Sequence, residues 1–169
     1  SCSKDIYAAR ETTAALVEQG IGVLRFDFTG LGHSEGDFSN TNFTTNVQDL
    51  VAAAKWLDQA HGGPQLLIGH SLGGAAVIVA AHDIPQVKAV VTIGAPSDAA
   101  HVIKAIRTHV EQIEDEGEAE VQLAGRPFVL KRQFLDDVRG AKVTEAAAGL
   151  KRPLLVMHAP LDETVGIEN

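Results

Sequence analysis

The stretch that decides the fold is Gln65–Ala81, QLLIGHSLGGAAVIVAA, in which an apolar run ends in Gly69-His70-Ser71-Leu72-Gly73 and a run of small apolar residues follows at once. The first half reads as a strand, and the second as a helix slim enough to approach a sheet closely, ending at the Asp83-Ile84-Pro85 break. Between them stands G-x-S-x-G in a strand–turn–helix context. There the serine occupies a tight, strained turn, and the glycines two before and two after it relieve collisions between strand and helix. The hydroxyl of Ser71 is thereby exposed as a nucleophile. The Leu72 N–H and the positive end of the helix dipole point to where a carbonyl oxygen gains charge during attack, so the turn supplies half of an oxyanion hole.

Outward from this turn, short apolar runs alternate with helix-period segments, the pattern of a parallel sheet with crossover helices. Four runs, Gly22–Phe28, Gln65–Gly69, Val87–Gly94 and Pro153–His158, are apolar nearly throughout, as strands covered on both faces must be. Asp5–Gln19 reads as a helix closed by Gly20, with Ile6, Ala9, Ala15 and Leu16 as its buried stripe. A second helix is marked by capping-box spacing between Thr45 and Gln48, an apolar face of Val47, Leu50, Val51, Ala54 and Leu57, and a stop at His61-Gly62-Gly63-Pro64.

From about 95 to 150 the alternation lapses. Val102, Ile106, Val110 and Ile113 share one helix face, a hairpin over Val121–Leu130 turns around Ala124-Gly125-Arg126, and helical pieces follow near Phe134–Val138 and Val143–Ala148. This is an insertion between two sheet strands. The acidic cluster from Glu111 to Glu120 reads as a solvated face.

Length and composition bound the rest. A chain of 169 residues with 45% hydrophobic and 21% charged residues makes one domain, 1–169, and not a disordered segment. Its net charge of −8 repels phosphate backbones and anionic headgroups, which argues against nucleic acid and membrane as partners. A single cysteine, Cys2, closes no intrachain disulfide and points to a reducing cytoplasm; as a thiol without a basic partner it reads as incidental rather than as a second nucleophile. No metal-ligand cluster is present in the sequence, and no cofactor is implied. The chain starts without Met and stops soon after its last apolar run, so truncation at both ends is expected.

At Ser71 and its turn the sequence resembles the α/β-hydrolase family. SCSKDI, RFDFTGLGHSEG and GHSLGGAAV further resemble the hydrolase portion of bacterial proteins that join an α/β-hydrolase to an OsmC-like domain. The resemblance implies an α/β-hydrolase core, a mostly parallel sheet with helices on both faces, here partial and carrying a cap-like insertion. It also implies a serine hydrolase that cleaves an ester, thioester or amide of a small acyl substrate through an acyl-enzyme, with a fused OsmC-like domain as a possible partner. Asp162, in His158-Ala159-Pro160-Leu161-Asp162 after the last apolar run, is the candidate acid, although this family's usual His-Gly is His-Ala here. An aspartate capping a turn ahead of Val165 is the structural alternative.

The family places its catalytic histidine after the acid, and no histidine follows Asp162, so the base is expected beyond residue 169. The strand that precedes SCSKDI in the family, lying between the runs at Gly22 and Gln65, is missing as well. Gly30, Gly32 and Gly36 give a variant dinucleotide fingerprint, but the polar segment Asp37–Thr44 separates them from the next helix. A hydrolase-like scaffold that has lost activity and serves for binding is the remaining alternative.

Overall fold

The computed structural model describes residues 3–123 and 125–169. Cys2, to which the sequence assigns an incidental thiol, lies outside the described residues, as does Ala124 of the expected turn Ala124-Gly125-Arg126. Helix α1 spans Tyr7–Glu18 and α2 spans Phe43–His61, followed by strand β1 (Leu66–His70), α3 (Leu72–Ala80) and β2 (Ala89–Ile93). After a 3₁₀ segment (Ala99–His109) come α4 (Val110–Glu116), the hairpin β3 (Glu118–Leu123) and β4 (Arg126–Lys131), α5 (Arg132–Gly140), α6 (Val143–Ala148) and β5 (Leu154–Met157). No helix among them is long and apolar enough to cross a membrane.

β1, β2 and β5 form a parallel sheet in the order β1-β2-β5, with His70 opposite Ile93 and Ile93 opposite Met157. Their C-terminal ends therefore lie side by side, and the turns that leave them open onto one edge. α3 packs on this sheet through Gly74–Ile78 and Ala80, all buried, so the small residues of the helix do bring it close. Within the insertion Ile106, Ile113, Val121, Leu130, Leu135 and Val138 are almost fully buried, joined to α3 in one core.

Four expectations need correction. The run Gly22–Phe28 is not a paired strand: among the described residues no strand hydrogen-bonds to it, and an extended segment without a ladder neighbour stays outside the sheet however apolar its sequence. α1 buries none of Ile6, Ala9, Ala15 or Leu16, although Gly20 closes it as read, with its N–H donating to the Val17 carbonyl at 2.9 Å. The box that opens α2 starts earlier: Asn42 is the cap and Thr45 its reciprocal partner, because the asparagine carbonyl reaches the Thr45 N–H at 2.9 Å while the threonine hydroxyl accepts from the Asn42 N–H at 2.8 Å. The stretch over Ala99–His109 is a 3₁₀ segment interrupted at Ile106 rather than one α-helix; Ile106 and Ile113 nevertheless reach the core. The acidic cluster from Glu111 to Glu120 faces solvent apart from Ile113 and Ala119, as read.

The loop after Phe26 is organised by Asp27, whose side chain is 1% exposed. Its carboxylate accepts the Lys4 N–H at 2.6 Å and the His33 N–H at 3.0 Å, with the Lys4 ammonium at 3.6 Å. Gly32 (φ +55°) lies directly on it, so a Cβ there would overlap the carboxylate. Gly30, Gly32 and Gly36 thus shape a turn around a buried anion and open no helix, which disposes of the dinucleotide reading.

Burial raises the Asp27 pKa, but the two backbone donors and the lysine outweigh it and hold the carboxyl below its ordinary value. A folded-state value below the unfolded one stabilises fully above the ordinary carboxylate range and is lost as pH falls through it. Asp27→Asn is therefore expected to cost about 2 kcal/mol at neutral pH. The gap to wild type should close below about pH 4, measured by denaturant unfolding across pH.

Candidate active site

Ser71 stands between β1 and α3 with φ 54° and ψ −132°, a left-handed conformation that costs a non-glycine residue of order 1–3 kcal/mol. Two backbone bonds hold it there. Its N–H donates to the Ile93 carbonyl at 2.9 Å, and its carbonyl accepts the Gly74 N–H at 2.8 Å. Leu72, the first residue of α3, has no intrahelical acceptor for its N–H, which leaves that donor and the helix N-terminus aimed into the turn.

The glycines differ in what they do. A Cβ on Gly69 would overlap the Gly73 carbonyl and come within 2.7 Å of the Gly74 Cα, whereas one on Gly73 would meet nothing within 4 Å. The close approach expected of Gly73 falls instead to Gly74, whose Cβ would lie 2.5 Å from that of Ala95 and 3.1 Å from the Gly69 carbonyl oxygen. Gly69→Ala should cost about 3 kcal/mol, while Gly73→Ala, in a helix, should be neutral or stabilising by about 0.5 kcal/mol. Paired thermal melts with circular dichroism check this; equal melting temperatures for the two variants would contradict it.

Asp162 lies in the turn that leaves β5, and its two oxygens have different surroundings. Oδ1 accepts the Thr164 and Val165 N–H groups, both at 2.9 Å, so the turn-capping role foreseen from sequence is filled by one oxygen. Oδ2 is left to face Gly94 at the end of β2, where a Cβ would be 3.1 Å away. The Val165 and Thr164 backbone donors, aided by nearby His158 and His70, hold this carboxyl below its ordinary range, ionised at neutral pH. Ser71 and Asp162 thus leave the same edge of the sheet, on β1 and β5 with the end of β2 between them.

Among the described residues no histidine hydrogen-bonds to Ser71. His158 Nε2 is 2.7 Å from the Val165 carbonyl oxygen and 3.8 Å from Asp162 Oδ2, which makes it a brace of the acid turn. His82 reaches the Ala146 carbonyl at 2.9 Å, His109 bonds to Thr108, His61 lies against Trp56, and His33 faces Asp27 from solvent. His70, in the turn itself, is exposed. His101, in the insertion, is half-buried with both ring nitrogens occupied. The sequence offered no sign of this last arrangement, whereas an aspartate inside the apolar RFDF run does signal a buried carboxylate with donors around it.

Residues 5–124 match the family of the serine aminopeptidase S33 type, Hydrolase_4. The palmitoyl-protein thioesterase ABHD10, mitochondrial, of Mus musculus is 30% identical over 157 residues, which cover 86% of this chain and 50% of the mouse protein. Among solved structures, the esterase domain of a Rhodothermus marinus protein is 45% identical, with a TM-score of 0.71 over 99% of this chain and 65% of its own. Mouse ABHD10 itself superposes with a TM-score of 0.69 at 24% identity, over 98% of this chain and 67% of the mouse chain, a likeness of fold. The chain spans half or less of the length of these curated relatives. With its parallel sheet, flanking helices and strand–serine–helix turn, the chain belongs to the Hydrolase_4 (serine aminopeptidase S33) family of the α/β-hydrolase superfamily.

Proposed function

We propose that this chain carries the nucleophile and acid of a serine hydrolase that cleaves an ester or thioester through an acyl-enzyme. The observation that carries the reading is the strained, left-handed Ser71 at the mouth of the sheet, a conformation a packing turn has no need of. In this mechanism Ser71 Oγ attacks the acyl carbonyl, and the Leu72 N–H and the α3 dipole stabilise the oxyanion. Asp162, through its free Oδ2, orients a histidine lying past residue 169; that histidine takes the serine proton and returns it to the leaving alkoxide or thiolate. Water then cleaves the acyl-enzyme by the same proton relay.

The thioesterase and esterase names of the two relatives favour thioester and oxygen-ester carbonyls over amides. Residues 95–150 act as a cap that shapes the acyl pocket. An OsmC-like domain downstream belongs to the same proposal, and the parent reading frame tests both it and the histidine. The direct test is labelling of the full-length protein with a fluorophosphonate, followed by peptide mass mapping. The reading expects the adduct on Ser71 and is overturned by its absence there.

A further inference from the structure

The turn carrying Asp162 follows β5, all of whose residues are exposed, and Leu161 beside the acid is 91% exposed. Most of its hydrogen bonds are local and would move with it. Asp162 donates to Ala159, Thr164 and Val165 donate to Asp162, and Val165 accepts from His158 at the end of the strand. Among the described residues one side chain from outside the strand and turn reaches in: His101 of the insertion, whose Nε2 lies 3.0 Å from the Thr164 carbonyl oxygen.

The polarity of this link is fixed at both ends by backbone groups. The Ser97 N–H can only donate, and it does so to Asn169 Oδ1 at 3.2 Å. The Asn169 amide nitrogen must then face His101 Nδ1, at 3.0 Å, as the donor, so Nδ1 accepts and the proton sits on Nε2. That proton is what the Thr164 carbonyl requires. Thr164 in turn supplies one of the two N–H groups that hold Asp162 Oδ1.

We propose that His101, as the neutral Nε2–H tautomer, is a positioning residue for Asp162. It ties the acid-bearing turn to the root of the insertion through Ser97, Asn169 and Thr164. The inference rests on the serine-hydrolase reading above. It adds that the insertion, besides walling the pocket, sets the height of the acid, so a change in how the insertion sits reaches the proton relay through His101.

The test uses the full-length protein with p-nitrophenyl butyrate as substrate, Ser71→Ala as reference, and thermal melts to confirm folding. His101→Leu is expected to lower kcat roughly ten- to a hundredfold with KM within about twofold, the effect of a carboxylate misplaced by about 1 Å. His101→Gln, which keeps an N–H donor for the Thr164 carbonyl, should recover most of the loss. Long-range ¹H–¹⁵N spectra of the wild type should show His101 protonated on Nε2. Wild-type kcat in His101→Leu, no rescue by His101→Gln, or an Nδ1–H tautomer would each overturn the positioning role, even with Ser71→Ala inert. Full activity in Ser71→Ala would overturn the hydrolase reading itself. Should His101→Leu fail to fold, the tautomer and the kcat of His101→Gln, expected near wild type, decide the matter.

Discussion

Ser71→Ala is expected to abolish fluorophosphonate labelling and to lower ester turnover by on the order of 10⁶, the loss seen when a triad nucleophile is removed. The reason is local. Ser71 is held at φ 54° by the Ile93 and Gly74 backbone bonds, at the point where β1 passes into α3. Alanine at 71 keeps the backbone bonds and the oxyanion donor and removes only the attacking oxygen. The fold should therefore survive, and a melting temperature close to wild type with turnover gone separates catalysis from stability. Equal labelling of the mutant would remove Ser71 from the mechanism.

Asp162→Asn should also fold, yet reduce turnover by on the order of 10⁴. Its carbonyl oxygen can take the place of Oδ1 and accept the Thr164 and Val165 N–H groups, which leaves the amide NH₂ where Oδ2 now faces Gly94. A histidine approaching from that side meets a donor instead of an acceptor. The imidazole then turns its proton the wrong way and cannot accept one from Ser71. Steady-state kinetics on the full-length protein check the loss. Near-normal turnover would shift the acid to Asp98, which leaves the neighbouring strand end and whose Oδ1 caps the 3₁₀ segment through the Ala100 N–H at 2.9 Å.

What could be foreseen from the sequence is what short-range chemistry settles. The strand–serine–helix turn is contained in seventeen consecutive residues, and the glycine at 69 must be small because strand and helix meet there whatever surrounds them. The hairpin and the two helices that follow it, α5 and α6, the close of α1 at Gly20 and the capping of a turn by Asp162 also follow from spacings of a few residues. Pattern alone misplaced the α2 cap by three residues, since Asn42 and Thr45 satisfy the same reciprocal geometry as the later pair.

The tertiary structure decided everything that depends on a distant partner. Gly22–Phe28 is as apolar as the strands that pair, but a ladder needs a neighbour, and among the described residues none binds it. α1 has its apolar stripe, but burial belongs to whatever covers a helix, not to the helix. Ser71 and Asp162 share one edge because parallel register aligns the ends of β1, β2 and β5. Ser97, His101, Thr164 and Asn169 join across more than sixty positions, through hydrogen bonds whose polarity follows from where the chain carries them and from no periodicity in the sequence.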